Sequence, residues 1–450
     1  MELPDYFIAD LPADHAITPK LVTEACHTLK RNRELYLLGR STTSIVHTLA
    51  ATAQSWLEPH NPFRRLALER GVKETGFNQV TLARGLDMFF QQFTSDGLNA
   101  LITQDLGHPD RLDRFVSDRL SPAAALAHGP DLLVHVAAGN IPNPTLFSIV
   151  LGFLTRSAQF VKCARGTSLL PRLFAHSIYE VEPKLASCLE IAEWPGGSEA
   201  LEAPLFAESD CITATGSDET LHAIRMRLPS RTRFLPYGHR VSFGYITADS
   251  LGRFETKKIL TAAANDVIAW NQLGCLSPHV FYVEHGAVNA ERFAEMLAAE
   301  LGAIEAVEPR GTLAMEEAAA ITSKRGVYEV RAAAGANNTK LWKSEGSTAW
   351  TVVYEADAQF QISCLNRFVY VKPVADLAEA LRGADIVHGK VSTVALAAGG
   401  DQAQQLATQL ARWGVTRICR VGQMQNPPLT WHHDGRPALG DLVTWTDWEQ

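Results

Sequence analysis

The sequence predicts an α/β fold built from two parallel-sheet units, and three observations carry that prediction. From about Asp131 short apolar runs alternate with helical stretches. The same alternation restarts at Val241. Within this second unit a lone cysteine turn separates a long helix from an apolar run, in Trp270-Asn-Gln-Leu-Gly-Cys-Leu-Ser-Pro278. Strands spaced by helices at this interval argue for a doubly wound parallel sheet, whose ligand lies beyond the carboxyl ends of its strands.

Bulk properties narrow the class. A chain of 450 residues is too long for one small core and implies two or three domains. Its 46% hydrophobic and 20% charged residues are those of an ordinary globular enzyme. A net charge of -8 leaves no basic footprint for nucleic acid. The short basic runs Lys30–Arg33 and Arg225–Arg233 read as solvated helix ends or a local anion site. Cys26, Cys163, Cys188, Cys211, Cys275, Cys364 and Cys419 are odd in number and scattered. No C-x-x-C pair occurs among them, so neither a disulfide framework nor a metal site is expected. No cationic-then-apolar leader opens the sequence, and the longest apolar stretch, Pro144–Leu154, is too short for a bilayer. A reduced, cytoplasmic setting is the expectation.

The elements follow in order. The first hundred or so residues read as helices, with apolar residues at helical spacing in Lys20–Thr28, Ser44–Leu57 and Val80–Phe93, and no strand-like alternation precedes Asp131. Leu132–Val136 is the first predicted strand, broken by Gly139-Asn-Ile-Pro-Asn-Pro144 before a helix from Thr145. Gln159–Cys163, Cys188–Ala192, Cys211–Thr215 and Thr232–Pro236 are the next strands. Helices from Leu170, Ala200 and Ser217 fall between them. The second unit begins with Val241–Thr247 and a helix from Arg253 to Trp270. It continues through the Cys275 turn, a strand to Glu284 and a helix at Asn289–Leu301. Strands near Thr348–Tyr354 and Arg367–Val371 and a helix at Gln402–Trp413 complete it. Residues 332–338 read as a loop, and the Pro-, Gly-, Trp- and His-rich tail 426–450 reads as a surface wrap. Domains are expected at 1–240, 241–425 and 426–450, the tail serving oligomerisation or covering the active site.

Four turns carry candidate chemistry. The Asn140 amide can point at a developing oxyanion, or the same turn can be an Asx cap. Lys162 and Arg165, with Thr167 in the same turn, stand where nucleotide folds meet the adenosine ribose; a cation there favours a 2′-phosphate, although two plain surface cations fit equally. Gly216 and Ser217 open a helix as an anion site would, or Ser217 is an ordinary N-cap. Cys275 sits at a helix end, where a thiolate is both exposed and stabilised. His432 and His433 read as a thiolate partner, a proton donor, a lid, or packing anchors. Glu284 reads as a surface carboxylate and Cys163 as a buried structural thiol.

An asparagine turn, a Lys/Arg turn and a Gly-Ser turn on successive crossovers, then a cysteine turn in a second domain, resemble the aldehyde dehydrogenase superfamily. The segment Gly422-Gln-Met-Gln-Asn-Pro-Pro-Leu429, followed by Trp431-His-His-Asp-Gly435, further resembles the long-chain acyl-CoA reductases of luminous bacteria. The resemblance implies an aldehyde-dehydrogenase-like fold: a Rossmann-type cofactor domain, an α/β catalytic domain and a small oligomerisation element with a bridging segment near 117–129. It implies Cys275 as nucleophile, Asn140 as oxyanion donor, Lys162 at the ribose, and Gly216 and Ser217 beside the cofactor phosphates. Two departures matter. Where hydrolytic members carry a glutamate that activates water, the nearest match is Pro236. The acidic ribose partner after the lysine is replaced by Arg165, which leans toward NADPH. The glutamate that members use for the nicotinamide ribose has no counterpart near Ile362–Val371.

The expected reaction is NADPH-dependent reduction of an acyl thioester, on coenzyme A or an acyl carrier protein, to an aldehyde through an acyl-Cys275 intermediate. A cysteine acyltransferase or thioesterase without a redox step is the alternative enzyme, and a catalytically silent scaffold the alternative from another class. The resemblance also implies a homo-oligomer, with an acyl-protein synthetase as a candidate partner.

Overall fold

The computed structural model describes residues 3–12, 15–117, 123–252 and 255–449. The chain divides into two compact units, one of residues 1–75, 86–238 and 428–450, the other of residues 76–85 and 239–427. Strands are numbered below in chain order.

Helices lead the first unit. Pro19–Tyr36, Thr42–Leu57 and Ser95–Leu106 start at Thr18, Ser41 and Thr94, whose hydroxyls accept from Leu21 N, Ser44 N and Gly97 N. These bonds satisfy backbone donors that a helix start otherwise leaves unpaired. Pro62–Thr75 and Ser95–Leu106 lie in the stretch that reads as helical, but the sequence does not mark them out as separate helices. The buried face of Pro62–Thr75 includes Arg64, paired with Asp87 and donating to Trp56 O, so its apolar period is broken. Pairing also begins earlier than predicted, with β1 (Val116–Ser117) antiparallel to β2 (Ala124–His128); the alanine-rich β2 shows no clear alternation. Of the expected bridging segment, 118–122 lies outside the described residues.

The cofactor-type sheet comprises β3 (Leu132–Val136), β4 (Ala158–Cys163), β5 (Leu189–Glu193), β6 (Cys211–Thr215) and β7 (Arg233–Tyr237). All pairs are parallel in the order β5-β4-β3-β6-β7, so the winding reverses between β3 and β6. Leu132, Val134, Phe160 and Ile212 pack with Val22, Cys26 and Leu29 of the first long helix. The run Lys30–Arg33 is not simply solvated. Arg33 is buried, donates to Arg156 O at 2.7 Å and pairs with Asp131 at 2.8 Å.

The second unit holds β8 (Val241–Ile246), β9 (Pro278–Glu284), β10 (Lys340–Lys343), β11 (Thr351–Tyr354), β12 (Phe368–Val374), β13 (Val391–Ala397) and β14 (Arg417–Arg420). Their order is β10-β11-β12-β9-β8-β13-β14, parallel except for β10. Side chains alternate by strand period. Phe243, Tyr245, Val280, Tyr282 and Tyr370 share one core, while Ile246, Phe281, Val283 and Val371 share another with helices Glu255–Ile268 and Ala290–Val307. β13 and β14 went unread in the sequence, as did helix Met315–Ala333. That helix buries Ile321, Arg325 and Tyr328 while exposing Val327 and Val330, which blurs the pattern a reader relies on. Glu284 is no bare surface carboxylate: it accepts from the Tyr245 hydroxyl and from Ala248 N.

The tail does more than wrap a surface. Ala438, Leu439, Leu442 and Val443 are buried, Arg233 donates to the carbonyls of Leu442 and Val443, and β15 (Thr444–Trp448) pairs antiparallel with β2.

Ahead of Cys275 the predicted helix stops at Ile268, and Trp270, Asn271 and Gln272 all take positive φ (51°, 49° and 65°). Leu365, Asn366 and Arg367, just before β12, do the same (58°, 55° and 65°). Left-handed backbone costs a non-glycine residue roughly 1–2 kcal/mol. The Gln272 side chain ties the two runs together: its amide donates to Pro278 O and Phe368 O at 2.7 and 2.8 Å, and its carbonyl accepts from Phe368 N at 2.8 Å. Arg367 adds a bond to Asn271 Oδ1 at 3.2 Å. Gln272→Ala would orphan three buried backbone groups and should cost about 3 kcal/mol in a urea titration. A loss under about 1 kcal/mol would mean that the lock does not hold the two runs.

Glu190 on β5 yields a pH prediction. Loss of water around its carboxyl pushes its pKa up to about 8, against the opposing pull of the Ile8 and Ile191 N–H groups. A folded pKa above the unfolded one means that stability is fullest below the unfolded value of 4.5 and falls as pH rises toward 8. Glu190→Gln keeps an acceptor for both N–H groups and removes the charge. Its thermal midpoint relative to wild type should therefore rise between pH 5 and pH 9; a difference constant with pH would refute this.

Candidate active site

The sequence-predicted cofactor residues cluster at the carboxyl ends of the first unit's strands. β3 ends at Val136, paired with Lys162 on β4 on one side and with Ala214 on β6 on the other. A Cβ on Gly139 would lie 2.8 Å from Thr167 Cγ2, so the asparagine turn and the Lys/Arg turn touch at a point where only glycine fits. Thr167 turns its hydroxyl inward to Ala164 O at 2.8 Å. Asn140 is exposed, and its amide makes no hydrogen bond among the described residues. The following helix, Asn143–Leu154, starts from Pro142 without a side-chain cap, so Asn140 is not spent as a cap.

Lys162 is 4% exposed, yet its ammonium makes no hydrogen bond among the described residues. Burial pulls its pKa below the ordinary lysine range, while Glu202, Cys163 and Glu193 pull it back. Arg165 is exposed on the same turn. The sequence reading missed Glu193. It ends β5, one residue beyond the predicted strand, and its carboxylate accepts from Gly166 N at 2.7 Å. A carboxylate thus reaches the Lys/Arg turn from the neighbouring strand, although none follows the lysine in sequence. The available signal was its place at a strand's carboxyl end. Cys163 is a buried thiol, its pKa pushed up to about 12 by burial.

At the third turn Ser217 is an N-cap, accepting from Thr220 N at 3.3 Å. Asp218 and Glu219 fill the first turn of that helix and already offer negative charge to its dipole. That weakens the reading of the helix as a phosphate site. Gly216 keeps its space: a Cβ there would meet only Thr220, at 3.4 and 3.5 Å. The tail histidines have the contacts of packing anchors. The His433 ring stacks on Tyr237 at 4.7 Å and lies 4.7 Å from Trp431, and exposed His432 lies 3.4 Å from the Gln104 amide nitrogen. Arg436 covers the Tyr237 ring and donates to the carbonyl of Pro236. The position matched to the water-activating glutamate is therefore a proline whose carbonyl is already bonded.

In the second unit Cys275 is partly exposed and forms no disulfide. Its carbonyl accepts from Ser242 Oγ at 2.8 Å, and the preceding Gly274 lies so close to Gln425 that a Cβ would sit 2.7 Å from its side-chain amide. Among the described residues no helix is long and apolar enough to cross a membrane.

The family model described as acyl-CoA reductase (LuxC) matches residues 38–445. The chain is 22% identical over 415 residues to the long-chain acyl-protein thioester reductase 2 of Photobacterium leiognathi, covering 90% of this chain and 82% of that protein. It is 23% identical over 416 residues, with the same coverage, to the long-chain acyl-protein thioester reductase of Aliivibrio fischeri. Among solved structures, a NAD-dependent benzaldehyde dehydrogenase from Corynebacterium glutamicum superposes with a TM-score of 0.71 at 14% identity, over 96% of this chain and 91% of that one. A betaine aldehyde dehydrogenase from Staphylococcus aureus, solved with NAD+, gives 0.70 at 13%, over 96% and 88%. With the family model spanning most of its length and an aldehyde-dehydrogenase-like fold beneath it, the chain belongs to the acyl-CoA reductase (LuxC) family.

Proposed function

We propose that this protein reduces a long-chain acyl thioester to the aldehyde with NADPH, through an acyl group carried on Cys275. The observation that carries the reading is the cysteine turn: a partly exposed thiol on a backbone held in place by Gln272, within a chain whose family match spans residues 38–445. In the proposed sequence the Cys275 thiolate adds to the thioester carbonyl carbon. The Asn140 amide and the Cys275 N–H donate to the oxyanion, a kind of stabilisation worth about 3 kcal/mol per donor. The bond from carbon to the carrier sulfur then breaks, and the carrier leaves as its thiol.

Several features of the first unit fit a bound dinucleotide: a buried lysine amine without a hydrogen bond among the described residues, the exposed Arg165 and the open space at Gly216. Lys162 and Arg165 would hold a 2′-phosphate, and Thr167, Gly216 and Ser217 would line the cofactor. NADPH held by these residues would supply the hydride that takes the acyl carbon to the aldehyde level. The carbon–sulfur bond to Cys275 then breaks and the thiolate is restored. Pro236 offers no carboxylate to activate water, so hydrolysis competes poorly for the acyl group.

Cys275→Ala should abolish NADPH oxidation on addition of long-chain acyl-CoA, and intact-mass spectrometry should show no acyl adduct. Asn140→Ala should slow turnover by about 10²–10³-fold at unchanged cofactor affinity. Full activity in Cys275→Ala would end the reading. For the cofactor, Lys162→Met should raise the KM for NADPH at least about tenfold, one charged contact at its usual worth, and the KM for NADH much less. An equal effect on both would separate Lys162 from the 2′-phosphate.

A further inference from the structure

Arg417 is a buried cation that the proposed chemistry has not used. It opens β14 and is paired with Thr393 on β13, which neighbours Ser242 on β8, which neighbours Pro278 on β9. These four residues form a row across the amino edge of the sheet. Ser242 Oγ donates to Cys275 O at 2.8 Å and accepts from Thr393 N at 3.1 Å, so the row carries the cysteine turn directly. From the same row the Arg417 guanidinium donates to Met424 O and Gln423 O at 2.6 and 2.7 Å. Asp266 grips that turn from the other side, accepting from Gly422 N at 2.6 Å and Met424 N at 2.9 Å. The next residue, Gln425, donates to Ser277 Oγ at 2.5 Å and packs on Gly274. Two independent paths of contact therefore set Arg417 beside the cysteine turn.

We propose that Arg417 is a positioning residue for the nucleophile, supplying the positive charge that favours the Cys275 thiolate while clamping the 422–425 turn that covers Gly274. This rests on the reading of Cys275 as the nucleophile. Burial lowers the Arg417 pKa, and the charges of Cys419, Asp266 and Cys275 raise it again, so all three lie within its electrostatic reach. A cation beside a thiol favours the ionised form, the proton passing to solvent. Three other titratable groups near the turn do not supply that charge. Burial pushes Cys419 up to about 12 and Asp266 up to about 7, and it lowers His279, on β9, to about 4, leaving it neutral. The facing positions on β8 and β13, Ser242 and Thr393, are uncharged.

Iodoacetamide alkylation of Cys275, read by peptide mass spectrometry between pH 5 and pH 10, tests this without any substrate. In the wild-type protein the midpoint should lie clearly below the ordinary thiol value of about 8.5. Arg417→Gln should raise it by about one pH unit or more and slow alkylation at pH 7 about tenfold. Arg417→Lys should restore most of the shift. Asp266→Asn disturbs the same turn yet removes negative charge, so its midpoint should stay or fall. The proposal is overturned by a wild-type midpoint at the ordinary value, which needs no variant to fold. It is equally overturned if folded Arg417→Gln leaves the midpoint in place, or if Asp266→Asn raises it as much. Should acyl-CoA leave no adduct on Cys275, the nucleophile reading fails while these midpoints stand.

Discussion

A single buried amide holds the backbone that carries the Cys275 turn. Gln272 bonds both the start of β9 and the first residue of β12 through three contacts to backbone groups, and each end of that bridge is a run of three left-handed residues. Neither run is a conformation that Trp, Asn, Leu or Arg adopts alone. Each persists because breaking it would leave buried N–H and C=O groups without partners. The consequence for Cys275 is geometric. The chain leaves helix Glu255–Ile268 and turns sharply, so the thiol comes to lie at the amino edge of the sheet, where Ser242 holds its carbonyl. A regular helix running on to Gly274 would have carried the sulfur along a helix face instead.

How far the sequence could be read follows from the same physics. The five strands of the first sheet and their crossovers were legible, because parallel strands buried on both faces are short apolar runs bounded by turn residues. The cysteine turn was legible for its glycine and its proline. Pro62–Thr75 and Met315–Ala333 escaped because each turns an arginine inward, and Arg64 and Arg325 are satisfied by carbonyls and hydroxyls that only the fold brings near. The left-handed runs escaped for the same reason. Nothing local in Trp270-Asn-Gln announces positive φ, and the partner that enforces it lies nearly a hundred positions away at Phe368. β14 escaped because its four residues, Arg-Ile-Cys-Arg, are too few to show an alternation and only the neighbouring strand makes them a strand.

The Lys/Arg turn after β4 shows a related limit. Lys162 and Arg165 stand out from sequence alone, but the carboxylate beside them comes from Glu193, on the adjacent strand, through a bond to Gly166 N. A charge balance that looks wholly cationic along the chain is mixed in space. The buried lysine is the telling element, because removing an ammonium from water without a hydrogen-bonding partner is costly, and a ligand oxygen would offset that cost. Glu193 and Glu202 temper the positive charge without bonding the amine directly, which leaves Lys162 available to a ligand.

The candidate residues of each unit are supported in the same way, by polar groups that bond backbone and so decide where a side chain stands. Glu193 closes the turn that bears Lys162 and Arg165; Gln272, Ser242 and Arg417 each bond backbone carbonyls around Cys275, while Asp266 holds the amides. None of these groups need touch a substrate, and their side chains are consumed by the protein. Removing one such support orphans buried backbone groups and shifts the turn that bears the candidate side chain, so the position of that side chain is set by bonds in which it takes no part.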